Sequence, residues 1–292
     1  MPQHTFARSL EFASLRLLET LIHAVPRTLA LAVGSMAGDL LRRAGYHRSI
    51  VRKNFEYAGI WDAGETARIE KRLYRNIGRY GADFLRPADK IPPYTADHFE
   101  LIDALLRRGK GIIVLLGHFG NWEMLARIFG RKVERLHVIA RPMKNKMTQA
   151  WLAEKRALTG VQTIYANKAL RKSLRVLKNN GLLATLIDQH AREQGTDVPF
   201  LGKPANTLRA IAGLQRVTDC AILPTYALLQ KDGSYRVHIT SAEALDIDPA
   251  NEDAFIAAHQ KQHNDILSAW ITSYPDHWFG WFHRRFKGNV QY

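Results

Sequence analysis

Apolar residues recur at helical spacing near the start of the chain, at Phe6, Leu10, Ala13, Leu17, Leu21 and Val25. This predicts an amphipathic helical entry over residues 5–43, broken at Pro26 before a second apolar helix. A further helix is predicted over 65–86, with Ile69, Leu73, Ile77, Tyr80 and Phe84 on one face and Pro87 at its end. The segment IPPYTADHFE reads as a connector. The pattern then changes to short apolar runs that alternate with helical stretches. The runs are IIVLL at 112–116, LHVIA at 136–140, VQTIY at 161–165 and LLATLI at 182–187; the helices fall near 122–130, 145–158 and 168–178. Such alternation implies βαβ units. After a polar, glycine-containing stretch come a helix near 208–217, strands at 221–229 and 235–240 around the turn KDGS, and a last helix over 252–273. The expected fold is α/β, with a mixed, mostly parallel central sheet covered by helices and an N-terminal amphipathic extension. The extension is placed at 1–90 and the α/β core at 91–292, as one functional unit.

The composition changes this picture mainly through charge. The 292 residues are 46% hydrophobic and 24% charged, as in an ordinary globular protein, and no repeat or low-complexity segment interrupts them. The net charge of +15 predicts attraction to polyanions: nucleic acid, anionic headgroups or an acidic carrier protein. Arg42, Arg43, His47, Arg48, Arg52 and Lys53 follow the apolar entry, so cations adjoin an apolar surface, as in interfacial helices. Lys168, Arg171, Lys172, Arg175 and Lys178 read instead as a solvated helix face. The longest uninterrupted apolar stretch near the start, Thr28 to Gly38, falls short of the ~20 residues that span a bilayer. No secretory signal is recognisable. The single cysteine, Cys220, lies in an apolar run and is expected to be buried.

Candidate chemistry concentrates where the strand IIVLL runs into GHFGNWE and then a helix. That places His118 at the carboxyl end of a strand, where open α/β sheets gather their sites. Gly117 and Gly120 allow a turn, Asn121 suits a helix N-cap, and Glu123 falls in the first helical turn, where the helix dipole favours a carboxylate. His118 and Glu123 stand five apart, a rotation of roughly 500°, so only a turn brings them together. The expected pairing has Glu123 orienting the imidazole and His118 acting as general base on a hydroxyl.

GHFGNWE resembles the histidine and acidic-residue motif of the glycerolipid acyltransferase superfamily, and specifically that of the bacterial lipid A late acyltransferases. The resemblance extends to ARPMKN at 140–145, DQHAREQGTDVPFLGKPANT at 188–207 and PDHWFGWFHRRFK at 275–287, covering roughly residues 10–288. It implies transfer of a fatty acyl group from acyl carrier protein or coenzyme A to a hydroxyl of a lipid A precursor. The implied location is the cytoplasmic face of the inner membrane, with peripheral or monotopic attachment and no metal or organic cofactor. Carried over residue by residue, His118 is the base and Glu123 its partner; Arg141, Asn121, Asp188 and Gln189 are the substrate-binding residues. His190 departs from the acidic or small residue common after the Asp-Gln pair. No nucleophile elbow is present, so direct attack on the thioester is expected, with backbone amides near 117–120 or Arg141 stabilising the oxyanion.

The acceptor stays open at this point, since related enzymes acylate phosphoinositide mannosides or lysophospholipids. A nucleic-acid-binding protein would suit the charge, but no zinc-finger, ribonucleoprotein or helix-turn-helix pattern occurs and no nucleic-acid partner is expected. A metal hydrolase lacks HExxH; the pair His259 and His263 reads as a solvated helix face.

Overall fold

The computed structural model describes residues 2–133, 136–166 and 169–292, with the backbone alone for residues 2–5. Lys168 of the basic stretch lies outside the described residues. The entry forms α1 (Pro2–Ala24) and α2 (Arg27–Arg43), divided at Pro26 as its fixed φ and absent N–H require. A short helix, α3 (Arg48–Ala58), then precedes α4 (Ala63–Leu85). Asp62 caps α4 by accepting the Glu65 N–H, and Ile69, Leu73, Tyr74 and Tyr80 are buried along it. Much of the basic cluster turns inward rather than outward. Arg42, Arg48 and Arg52 converge on the buried Glu70 at 3.7, 2.7 and 3.2 Å, and Lys53 donates to the Gln291 carbonyl.

The expected connector contains a short edge strand, β1 (Tyr94–Ala96), and leads into α5 (Glu100–Leu106). The alternating region follows the sequence closely: β2 (Ile112–Leu116), α6 (Trp122–Lys132), β3 (Leu136–Ala140), α7 (Lys146–Ala157), β4 (Val161–Tyr165), α8 (Ala169–Lys178) and β5 (Leu182–Leu186). The polar stretch after it is an antiparallel hairpin of β6 (Gly195–Phe200) and β7 (Lys203–Leu208). Then come α9 (Ala210–Thr218), β8 (Ala221–Leu229), β9 (Tyr235–Ile239) and α10 (Glu252–Ser273). Single 3₁₀ turns at Pro275–His277 and Phe279–Phe282 end the described secondary structure.

The main sheet has the order β1-β9-β8-β2-β5-β3-β4, parallel throughout except where β8 meets β9. Strand β2 is buried along its whole length, as a central strand covered on both faces must be. One apolar core joins Leu31, Val51, Phe55 and Leu73 of the entry to the sheet residues and to Trp278 and Trp281. Among the described residues no helix is long and apolar enough to cross a membrane.

Two expectations about single residues divide. Cys220 is buried, as its apolar setting predicts. His259 and His263 are not on a solvated face: both are under 5% exposed. Helix α10 packs against β6 and α9, so Gln260 and Asn264 bond to Thr207 and Pro199 and the histidines between are covered. Burial, then the neighbouring His259, pushes the His263 imidazole down to about 3.

Candidate active site

Strands β2 and β5 run parallel with Ile112 opposite Leu182 and Leu116 opposite Leu186. Continuing both chains two residues beyond the ladder places His118 beside Asp188 at the carboxyl end of the sheet. His118 Nδ1 donates to Asp188 Oδ1 at 2.8 Å, and the His118 backbone N–H donates to Oδ2 at 2.7 Å. A third donor is the Trp278 indole N–H, also 2.7 Å from Oδ2. Burial by itself would raise the Asp188 carboxyl; the His118 charge and these hydrogen bonds outweigh it and hold the group down at about 2. The carboxylate therefore fixes the imidazole with its proton on Nδ1, leaving Nε2 as a lone pair facing the site.

The loop geometry depends on two glycines. A Cβ on Gly117 would lie 3.0 Å from the Leu267 side chain and 3.3 Å from Asp188 Oδ2, so its absence admits the carboxylate to the backbone. Gly120 has φ +60°, and a Cβ there would sit 2.1 Å from the Ala227 carbonyl oxygen. The C-terminal segment is laced onto this loop. The Gly120 N–H donates to the His277 carbonyl at 2.9 Å, and the Phe279 N–H to the His118 carbonyl at 2.7 Å. Thus the same short segment closes the loop and delivers Trp278 to Asp188.

The hydrogen bond expected between His118 and Glu123 is not found among the described residues. Glu123 occupies the first turn of α6, as expected, but its carboxylate is gripped by Arg156 of α7, with Nε 3.2 Å from Oε2 and Nη2 on Oε1. The physical reason is that Glu123 faces the crevice lined by Arg127, Lys155 and Arg156, where a guanidinium matches a carboxylate in two places. Asn121 caps α6 through the Met124 N–H and gives its amide N–H to the Tyr235 hydroxyl at 2.8 Å. It is 3% exposed and committed on both sides. Tyr235 passes the connection on to Asp83, which Arg27 holds through two bonds of 2.7 Å.

Gln189 follows Asp188 and lies beside His118. Its amide Nε2 is 3.4 Å from His118 Nε2 and 3.5 Å from His283 Nε2. Burial, then the His118 charge, lowers His283, while the Asp188 carboxylate opposes the shift. Arg141 is exposed. His190 is peripheral, bonded to the Lys287 carbonyl. Of the backbone donors considered for an oxyanion, the His118 and Gly120 N–H groups are already engaged by Asp188 and His277. Among the described residues no three His, Cys, Asp or Glu side chains gather as a metal site would require.

Trp278, His283 and Arg156 are the participants that sequence reasoning did not assign. The equal spacing of 70 residues between the β2 and β5 partners, read from the strand pairing, also relates His118 to Asp188. Nothing comparable along the chain marks Trp278 as a donor to Asp188.

A histidine oriented by a buried carboxylate at the end of a parallel sheet, within GHFGNWE, defines the class. The family model of the bacterial lipid A biosynthesis acyltransferases matches residues 6–288, and the chain belongs to that family. The chain is also similar to the phosphatidylinositol mannoside acyltransferase of Mycobacterium tuberculosis (strain ATCC 25618 / H37Rv), at 25% identity over 183 residues, 59% of this chain. The match spans 58% of that relative's length. The protein of the same name from Mycolicibacterium smegmatis is 20% identical over 268 residues, 88% of this chain and 86% of the relative.

Proposed function

We propose that the protein is an O-acyltransferase working at a membrane surface, which moves a fatty acyl group from a thioester of acyl carrier protein or coenzyme A to a hydroxyl of a lipid acceptor. The observation that carries this reading is the His118–Asp188 bond of 2.8 Å at the adjacent ends of β2 and β5. The acceptor hydroxyl donates to His118 Nε2, in the place the Gln189 amide marks. As its oxygen attacks the thioester carbonyl, His118 takes the proton and Asp188 stabilises the imidazolium. Collapse of the tetrahedral intermediate breaks the carbon–sulfur bond, and His118 returns the proton to the thiolate. The products are an ester and a free thiol, with no acyl-enzyme. Arg141 and the Gln189 amide donate hydrogen bonds to the developing oxyanion, since the nearby backbone donors of His118 and Gly120 are occupied. Glu123, paired to Arg156, holds α6 and α7 in register beside the loop.

The acceptor proposed first is a lipid A precursor, on the cytoplasmic face of the inner membrane, in keeping with the family. A phosphoinositide mannoside is the second reading, favoured by the names of the similar mycobacterial proteins. Exposed Phe6, Leu10, Leu17, Leu21, Leu29, Val33, Met36 and Leu40 on α1 and α2 support attachment to a bilayer surface. Mass spectrometry of lipids from cells with and without the protein tests the proposal. A lipid that lacks one acyl group in the deleted strain, restored by the native gene and not by a His118→Ala version, is the expected result. Identical lipid profiles would overturn it.

A further inference from the structure

A cavity of about 590 Å³ opens between α2, α4 and the turn joining β8 to β9, and neither His118, Asp188 nor Gln189 lines it. Its walls carry four basic side chains, Arg72, Arg75, Arg79 and Lys231, against two carboxylates, Asp232 and Asp276. Both carboxylates are already engaged: Asp276 by Arg72 at 3.1 Å and by Asn76, Asp232 by the backbone and hydroxyl of Ser234. Arg75 is paired with Asp39 at 2.8 Å. Arg79, half-buried, and Lys231 have no acidic partner among the described residues. A half-buried guanidinium is planar and permanently charged, and its fork of N–H donors matches a phosphate.

The third wall is α2, through Thr28, Ala32 and Ser35. One residue further round the helix, spaced as a single stripe, stand Leu29, Val33, Met36 and Leu40, exposed at 50, 46, 66 and 62%. A ligand with an anionic head and apolar tails meets both features at once. We infer that this cavity binds the phosphate of an anionic glycerophospholipid, whose acyl chains lie along the exposed α2 stripe, so that the protein grips one membrane lipid separately from the one it modifies. The inference rests on the reading that the protein works at a membrane surface.

The test compares native protein with a double variant, Arg79→Gln with Lys231→Gln, in sedimentation with vesicles of phosphatidylcholine alone or mixed with phosphatidylglycerol. A second double variant, Arg171→Gln with Lys172→Gln on α8, removes the same charge from an exposed helix elsewhere, and Arg79→Lys with Lys231→Arg keeps charge in the cavity. Inorganic phosphate binding is measured by calorimetry in parallel. The cavity variant is expected to lose about tenfold or more in affinity for the anionic vesicles, from two cations near a headgroup. It should keep native affinity for neutral ones, while the α8 and charge-keeping variants lose far less. Equal losses in the cavity and α8 variants, or native affinity in the cavity variant, overturn the cavity and leave membrane attachment standing. Native protein that binds neither kind of vesicle overturns membrane attachment and the lipid assignment together. Loss of phosphate binding with unchanged vesicle affinity shows a soluble phosphate as the occupant and overturns the lipid assignment.

Discussion

Trp278→Phe isolates the support under the Asp188 carboxylate. The substitution keeps an aromatic ring in a fully buried position and deletes the N–H that donates to Oδ2 at 2.7 Å. Asp188 titrates at about 2 in the folded protein against an ordinary value of 3.8. Because the folded value is depressed, the carboxylate adds stability above the unfolded value, and that contribution is lost as pH falls from about 4 through about 2. The displacement corresponds to about 2 kcal/mol. A hydrogen bond to a charged group contributes about 1.5–3 kcal/mol, and the smaller ring adds a packing cost that does not depend on pH. Unfolding in urea, repeated between about pH 6 and pH 2.5, should show the variant less stable by at least ~2 kcal/mol at the upper end. The gap should narrow on acidification, because below the variant's less depressed folded value only the native protein still loses carboxylate stability, down through about 2. A gap that stays constant across the range would refute the reasoning, since the cost would then be packing alone.

Three further outcomes follow from the geometry. His118→Ala should lower acyl transfer by about 10²–10⁴-fold, the usual contribution of a general base, in a chain that still folds but is less stable because the buried Asp188 loses its imidazole partner; near-native turnover contradicts the assigned role. Gly120→Ala should destabilise the chain by more than ~1 kcal/mol, because a Cβ would meet the Ala227 carbonyl where φ is positive; equal denaturation midpoints would show that the loop relaxes freely. Transfer should be unchanged by a chelator, since the proposed proton transfer between the acceptor hydroxyl, His118 and the thiolate uses no metal, and inhibition reversed by added metal would contradict that.

How far the sequence discloses this site depends on whether a relation runs along the chain or across it. Helix periodicity, the strand runs, Pro26 and the Asn121 cap are local, and each predicts what is found. The His118 partner is not local. Spacing along GHFGNWE offers Glu123, whereas the bond forms across two strands whose adjacency places β5 beside β2 although β3 and β4 intervene in the chain. The hairpin β6–β7 was equally hidden, since GTDVPF and KPANTL are polar and proline-containing. Buried Gln260, Asn264 and Arg285 secure it by bonding to Pro199, Asn206 and Thr207, contacts from elements far along the chain. In α3 the spacing of Val51, Phe55 and Ala58 does suit a buried helix face, but the surrounding basic residues mask it.

The central claim is that Asp188, rather than Glu123, orients His118 for proton transfer. The direct measurement is the rate of thiol release from an acyl thioester, in the presence of a lipid A precursor or, if that is not acylated, a phosphoinositide mannoside, for Asp188→Asn and Glu123→Gln side by side. Asp188→Asn should lose about 10²–10⁴-fold in kcat, as the amide no longer holds the Nδ1 proton or stabilises the imidazolium. Glu123→Gln, which weakens only the Arg156 clasp, should lose about tenfold or less. A Glu123→Gln loss equal to or greater than that of Asp188→Asn would contradict the account.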